Sequence, residues 1–474
     1  MMATIPSNAS KAWPSPRRVR GGAILGMALL LGGCASTPVP HPDVALPSHW
    51  VHATGQTAPP HPDYREWWQA LNDPGLNRLV DESLKANLDL AAARERVLAA
   101  RALYLHSDAP YKPSLSIKTD DPVDPDARAS YFLMGFDANW ELPLFGRGEA
   151  KKNVARGHLA TAASNLRDVR VSMVAEIARD WINLRGAQQR SSILGQMLAV
   201  QHHRIRLARE RIRLGLASPT VLSAPLLKAS DLEAERQDAR HAAVAAAQQL
   251  ALLTGRAEPD KSWLQAANVP TLQGYEPVSV PATLLYTRPG IAEARARVIR
   301  AAGELGLARA DRYPSIGIGA SLVASANLAS YKSSGVGGIG SIGPMIDIPL
   351  FDWGMRKARA QAKGHLLKAA SLAYREAVLQ GVADVETKLD DLNSTQQQIQ
   401  ARQQVLQREQ TALGRARTRD QLGLDSPDQR LGAELAYNQA RLRLTQAQTA
   451  HDIAYVALYK ALGGPSNRAI ESAG

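Results

Sequence analysis

The chain has 474 residues, a formal charge of +12, a single cysteine and few aromatic residues, while Ala, Leu, Gln and Arg are plentiful. That balance favours long helices over one packed globule, and a lone Cys excludes an intrachain disulfide. Lys and Arg are interspersed with Glu and Asp through helix-patterned segments and form no basic block, so the charge reads as solvated helix faces and not as a nucleic-acid surface.

Residues 17–34 have the order of an export signal: Arg17-Arg18-Val19-Arg20, an apolar run from Ala23 to Leu31, then small residues before Cys34. The run is too short to cross a bilayer comfortably as a helix. Leu31-Gly32-Gly33-Cys34 resembles the bacterial lipoprotein box, which implies a covalent lipid on Cys34 and a mature chain beginning there. Ala35 in place of Asp fits onward passage to the outer membrane. Loss of residues 1–33 removes Lys11, Arg17, Arg18 and Arg20 and no acidic residue, which lowers +12 by four to +8. Residues 34–62, rich in Pro and His, read as an extended tether. Its His41, His49, His52 and His61 lack flanking structure that would fix a metal geometry, so no metal is expected.

Downstream the sequence is duplicated. Lys112-Pro113-Ser114-Leu115-Ser116-Ile117 returns as Tyr313-Pro314-Ser315-Ile316-Gly317-Ile318, and Glu141-Leu142-Pro143-Leu144-Phe145-Gly146 as Asp347-Ile348-Pro349-Leu350-Phe351-Asp352. Gly157-His158-Leu159 returns as Gly364-His365-Leu366, and Leu214-Gly215-Leu216-Ala217-Ser218-Pro219 as Leu422-Gly423-Leu424-Asp425-Ser426-Pro427. The markers keep their order, so one structural unit is used twice. The predicted layout is a signal over 1–33, a tether over 34–62, a first repeat over 63–262 and a second over 263–474.

Within each repeat a 3,4 spacing marks a long helix. Val382, Val385, Leu389, Leu392, Gln396, Ile399, Gln403, Leu406, Gln410 and Leu413 form one seam; the first repeat answers with a run from Val174 through Ile177, Trp181, Leu184 and Leu198 to Ile205. No Pro interrupts Gly148–Leu216 or Gly354–Ser426, so each rod would be roughly 100 Å long. Gln, Gly and His within the seams suggest packing around a wet centre. Both rods end in Leu-Gly-Leu-x-Ser-Pro: Gly215 and Gly423 suit the left-handed helix end, Ser218 and Ser426 the next cap, Pro219 and Pro427 a first turn. Helical hairpins follow, with return helices over about 219–254 and 427–462.

Strands are expected at the other end of each repeat, over Ser114–Thr119 and Tyr131–Leu142, then Ser315–Ala324 and about Gly338–Ile348. Ile316, Ile318 and Ala320 alternate with Gly317, Gly319 and Ser321, and the lengths approach what a tilted strand needs to span a bilayer. Four strands cannot close a barrel, and open edges in hydrocarbon leave backbone groups unpaired, so copies must close it, with eight strands for two chains or twelve for three.

These landmarks resemble the TolC superfamily of outer-membrane factors, in its lipidated NodT/OprM efflux branch, from about Trp67 to Gly464. Trp67-Trp68, Asp73-Pro74-Gly75-Leu76 and Asn87-Leu88-Asp89-Leu90 resemble its opening motif, and the paired Pro-Leu-Phe corners its hallmark. The resemblance implies a mostly α chain with a small β part, assembled as a homotrimer whose twelve-stranded β-barrel runs into a twelve-helix α-barrel. It also implies a mixed belt from segments near 63–74, 256–287 (263–287 within the second repeat) and 463–474. It further implies a passive exit duct for small toxic compounds, in a tripartite pump with a periplasmic adaptor and an inner-membrane transporter. The adaptor would dock on the tips, at Gly215, Leu216, Ala217, Ser218, Gly423, Leu424 and Ser426. Relatives carry aspartates at their periplasmic constriction, which matches Asp425 to a gate, although Gln429 and Gly432 stand where one branch has its acidic pair.

No nucleophile elbow or phosphate loop is present, so an enzyme is not expected, nor a cofactor beyond the lipid on Cys34. His158 and His365 read as packing or surface positions. The competing readings are a channel for type I protein secretion and a structural periplasmic coiled-coil lipoprotein, the second of which needs no strands.

Overall fold

A computed structural model describes residues 37–40, 42–52, 66–120, 131–265, 267–270, 272, 282, 284–327 and 337–464. Cys34 and the signal, residues 121–130 between the first two expected strands, residues 328–336 between the last two, and residues 465–474 lie outside these. The helices are α1 (Pro74–Ala86), α2 (Leu88–Leu105), α3 (Arg147–Arg213), α4 (Ser223–Leu253), α5 (Pro289–Ala310), α6 (Met355–Gln421) and α7 (Pro427–Leu462). The strands are β1 (Ser114–Asp120), β2 (Tyr131–Glu141), β3 (Ser315–Asn327) and β4 (Gly337–Asp347). No described helix is long and apolar enough to cross a membrane. The chain divides into two compact units, one holding residues 107–153 and 302–364 with the start of the chain, the other holding 39–106, 154–301 and 365–474.

The first unit is built on one antiparallel sheet in the order β1-β2-β3-β4. Each strand pairs with its sequence neighbour, and the β2/β3 ladder, running from Tyr131↔Asn327 to Glu141↔Gly317, joins the two repeats. Arg147, at the start of α3, fixes the corner below that ladder: it reaches Asp311 at 3.3 Å and Glu141 at 3.5 Å.

The helical unit shows why the opening motif has its residue types. Asp73 accepts from the backbone of Gly75 and Leu76 through one oxygen, capping α1. Its other oxygen accepts from the Trp181 indole at 2.8 Å. The Arg185 guanidinium lies 4.2 Å over the Trp181 ring and donates to the Gln265 carbonyl at 2.8 Å. Trp67 stacks on Tyr459, and the Tyr455 hydroxyl donates to the Trp67 carbonyl at 3.0 Å. Asn87 caps α2 and ties it to α4 through the Leu253 carbonyl. Trp67, Trp181, Tyr455 and Tyr459 sit in one buried cluster with Ile177, Leu184, Val385 and Leu389, so the 3,4 seams are core over this stretch. Further along the second seam Gln396, Gln403 and Gln410 are exposed, as a wet face requires.

Two expectations change. The tether does not hang free over residues 42–52: Trp50 is buried in the core cluster, the backbone of Val51 and His52 donates to Glu386, and Asn393 donates to the His52 carbonyl. An apolar ring and an unused carboxylate turn that stretch into a strap. In the first hairpin the return helix starts at Ser223, after a 3-10 turn over Pro219–Leu222, not at 219. A helix from 219 would need an N–H at Pro225 for the Val221 carbonyl; restarting at Ser223 places Pro225 in the first turn, where none is needed. The second hairpin has no such proline, and α7 runs directly from Pro427. His158 and His365 are both exposed.

Asp452, on the buried side of α7, has one carboxylate oxygen without a hydrogen-bond partner, and burial raises its pKa to about 8. The folded chain therefore keeps a proton there that the unfolded chain releases near pH 4. Between those two values folding takes up a proton, so this group's contribution to stability falls as pH rises from about 4 to about 8. Asp452→Asn is expected to remove that slope and to melt several degrees above the parent at pH 8, with little difference at pH 4.5. Thermal melts with the same pH dependence for both proteins would show that Asp452 is not a buried neutral acid.

Candidate functional site

Two features of the chain have the chemistry of a conduit: the sheet and the hairpin ends. Register fixes the faces of the sheet. Leu115 opposes Ala138 and Ile117 opposes Phe136; Phe136 opposes Leu322 and Trp140 opposes Ile318; Ile316 opposes Ile346 and Ala320 opposes Ile342. With side chains alternating along each strand, one face carries these residues together with Met134 and Pro344, all without charge. Most of the large ones are exposed; Leu115 is 71% and Ile342 80% accessible.

The opposite face carries Ser116, Lys118, Asp137, Asn139, Ser321 and Ser341, with glycines at 135, 317, 319 and 343, and among them the apolar Leu133, Val323, Ile339 and Met345. Lys118 and Asp137 pair across β1 and β2 at 3.1 Å. A bare apolar face of this size on a soluble protein would drive aggregation; against lipid it is the stable arrangement. The outer edges of β1 and β4 have no ladder partner among the described residues.

The two hairpin ends share one backbone. Gly215 and Gly423 stand at φ +71° and +69°. Leu216 N–H donates to the Arg211 carbonyl and Gly215 N–H to that of Ile212; Leu424 and Gly423 repeat this with Arg419 and Asp420. This is the six-to-one, five-to-two closure of a glycine-ended helix. It leaves Leu214, Leu216, Leu422 and Leu424 projecting and exposed. Ser218 accepts from Thr220 N–H, and Ser426 and Gln429 form a reciprocal capping box at the start of α7.

The tips differ where Asp425 replaces Ala217. Asp425 is held by a two-pronged pair with Arg419, at 2.8 and 2.9 Å, and that guanidinium keeps its carboxyl below the usual carboxylate range. Arg430 binds Asp420 at 2.7 Å, and Arg204 of α3 binds Asp428 of α7 through two bonds, tying the two hairpins together. The sequence singled out Asp425 but not Arg419, Arg430 or Arg204. An Arg six residues before an Asp across a glycine-ended helix was a usable signal for the first; nothing local marked the others. Among the described residues no group of three or more His, Cys, Asp or Glu could hold a metal.

The family model described as outer membrane efflux protein matches residues 79–256 and 280–464. The pyoverdine export outer membrane protein OpmQ of Pseudomonas aeruginosa is 29% identical over 471 residues, covering 93% of this chain and 96% of that protein. Outer membrane protein OprJ of the same species is 26% identical over 467 residues, covering 94% and 95%. The solved structure of the outer-membrane channel OprN matches with a TM-score of 0.78 at 25% identity, over 90% of this chain and 98% of that one. A match on both repeats, a sheet with one face for lipid and one for water, and hairpins with twin glycine ends converge: the chain belongs to the outer membrane efflux protein family.

Proposed function

We propose that three copies of this chain form the outer-membrane exit duct of a tripartite efflux system, a passive channel for small toxic compounds driven by an inner-membrane transporter. The observation that carries the reading is the four-stranded sheet: one face is without charge and rich in large apolar side chains, every charged group and most glycines gather on the other, and the outer edges of β1 and β4 have no ladder partner among the described residues. In hydrocarbon the open edges require partners, and identical chains arranged in a ring supply them. Three chains give twelve strands and an open lumen. A purely structural coiled-coil lipoprotein has no use for such a sheet.

Cys34 carries the lipid that holds the mature chain to the membrane. Purified protein is expected to begin at Cys34 with the mass of an acylated cysteine, and Cys34→Ala to lose that mass. An unmodified Cys34 in protein taken from outer membranes refutes the anchor.

The tips are the seat of a periplasmic adaptor. Between residues 204 and 218 five arginines face one glutamate, and both tips project paired leucines, so the complementary surface is acidic with apolar sockets. Replacing Leu216 and Leu424 together by Asp is expected to abolish co-purification of the adaptor and to lower efflux at least tenfold, with the trimer intact. Undiminished recovery of the adaptor removes the tips from its docking site.

Asp425 serves the periplasmic gate through its pair with Arg419 and not as a bare carboxylate. A paired carboxyl with a depressed pKa keeps its charge from neutral pH down past pH 5, and the pair is lost only as pH falls through that value, below about 4. Single channels in planar bilayers are expected to stay closed at pH 7 and pH 5 and to open below pH 4. Asp425→Ala and Arg419→Ala should open them equally at pH 7, with no further gain in the double variant. Unchanged closure and cation selectivity in Asp425→Ala would take this residue out of the gate.

A further inference from the structure

The duplication supplies, inside one chain, a worked example of a contact that the second repeat leaves unmade. After β2 the chain turns its corner at Phe145 and Gly146, with φ +53° and +78°. The Phe145 ring stacks on Tyr313, in the turn that leads into β3, with centroids 4.9 Å apart and planes 15° from parallel. Below it the Leu142 N–H donates to the Ile316 carbonyl, carrying the β2/β3 ladder past the end of β2.

The second corner has the same backbone. Trp353 and Gly354 stand at φ +54° and +80°, so Trp353 is the counterpart of Phe145, two residues further from its strand than the Pro-Leu-Phe match suggests. Its only described ring contact is Phe351, and it is 90% exposed. A large aromatic held in a left-handed backbone conformation and left in water is costly on both counts. The same asymmetry recurs on the helices. A Cβ on Gly157 would strike the backbone of Arg300, whereas His365, at the same place along α6, carries a full side chain and is exposed.

We infer that Trp353 seats on the turn before β1 of a second copy, over Lys112 and Pro113, and so locks the β4 edge of one chain to the β1 edge of the next. The inference rests on the ring-shaped assembly proposed above and names the residues that close it. Pro113 matches Pro314, so Lys112 stands where Tyr313 stands in the in-chain contact. An indole over a lysine stem and ammonium replaces ring on ring with a cation–π contact, for which Trp is the best acceptor. Lys112 is available for it, its side chain 64% exposed and paired with Asp108 four residues earlier.

The ladder follows from the same correspondence. Glu141 pairs with Gly317 in the chain, so its counterpart Asp347 pairs with Ser116 of the second copy, the counterpart of Gly317. That register places Ile346 against Ile117 and Ile348 against Leu115, apolar to apolar on the outer face, and Asp347 against Ser116 on the polar face. A slip of one residue would set every one of these pairs on opposite faces.

The test is cysteine crosslinking in outer membranes. Trp353→Cys combined with Lys112→Cys, and separately Asp347→Cys combined with Ser116→Cys, are oxidised and run denatured without reductant. Most of the protein is expected as covalent trimers from each pair, and each single variant should run as a monomer. Phe145→Cys with Tyr313→Cys is the reference: it closes within one chain and stays at monomer mass. For a readout without new cysteines, Trp353→Phe should keep the heat resistance of the trimer in detergent and Lys112→Glu with Trp353→Ala should lower it by more than 10 °C. Trimers by light scattering that give no crosslink between chains with either pair overturn the seat and leave the trimer standing. Monomers by light scattering overturn the ring itself.

Discussion

Backbone hydrogen bonding at the edges of a small sheet constrains everything else in this protein. Four strands satisfy their inner ladders, and among the described residues the outer sides of β1 and β4 stay open. In water such edges find solvent; next to hydrocarbon they have nothing, at several kcal/mol for each unpaired group. The apolar face formed by Leu115, Phe136, Leu322 and Ile342 commits the sheet to hydrocarbon. Edge and face together make the isolated chain an incomplete object.

Duplication is the simplest way to meet that constraint. One strand pair with its hairpin is copied, and the joint between the copies, β2 against β3 with Phe145 on Tyr313, is a joint that any further copy can repeat. The repeats have since diverged where the joint is internal or external. Arg147, clasping Asp311 and Glu141, has Met355 as its counterpart at the start of α6. The hairpin tips keep their glycine backbone geometry and differ in one side chain, Ala217 against Asp425, with Arg419 in place to hold it.

What the sequence disclosed was whatever has a local or periodic cause. Glycine-ended helices, serine caps, the two rods and the strand pairs follow from turn chemistry and spacing within a few residues, and all appear close to where they were expected. Alternation at Ile316, Ile318 and Ala320 was visible, but the order of strands and the continuity of the apolar face depend on ladder register, which no single strand encodes. Asp73 and Trp181 lie 108 residues apart, and Glu386 meets its strap from more than 300 residues away. Such contacts are decided by packing, and their residues carry no mark in the sequence. Pro225 did carry one: a proline seven residues into an expected helix argues for a later start, as Ser223 shows. At the candidate site the sequence supplied Asp425 and the tip residues, and the structure supplied the arginines that decide whether those charges are free.

The exposed glutamines at 396, 403 and 410 give the second rod a neutral amide stripe. An amide both donates and accepts, holds water about as well as any cargo, and favours neither cations nor anions. In the proposed assembly, a duct walled this way would exert little grip on what moves through it, which would leave discrimination among toxic molecules to whatever loads them upstream. Substitutions that broaden or narrow the range of expelled compounds should then accumulate in the loading machinery, and this chain should be exchangeable between systems that expel chemically unrelated cargo, so long as its tips are recognised.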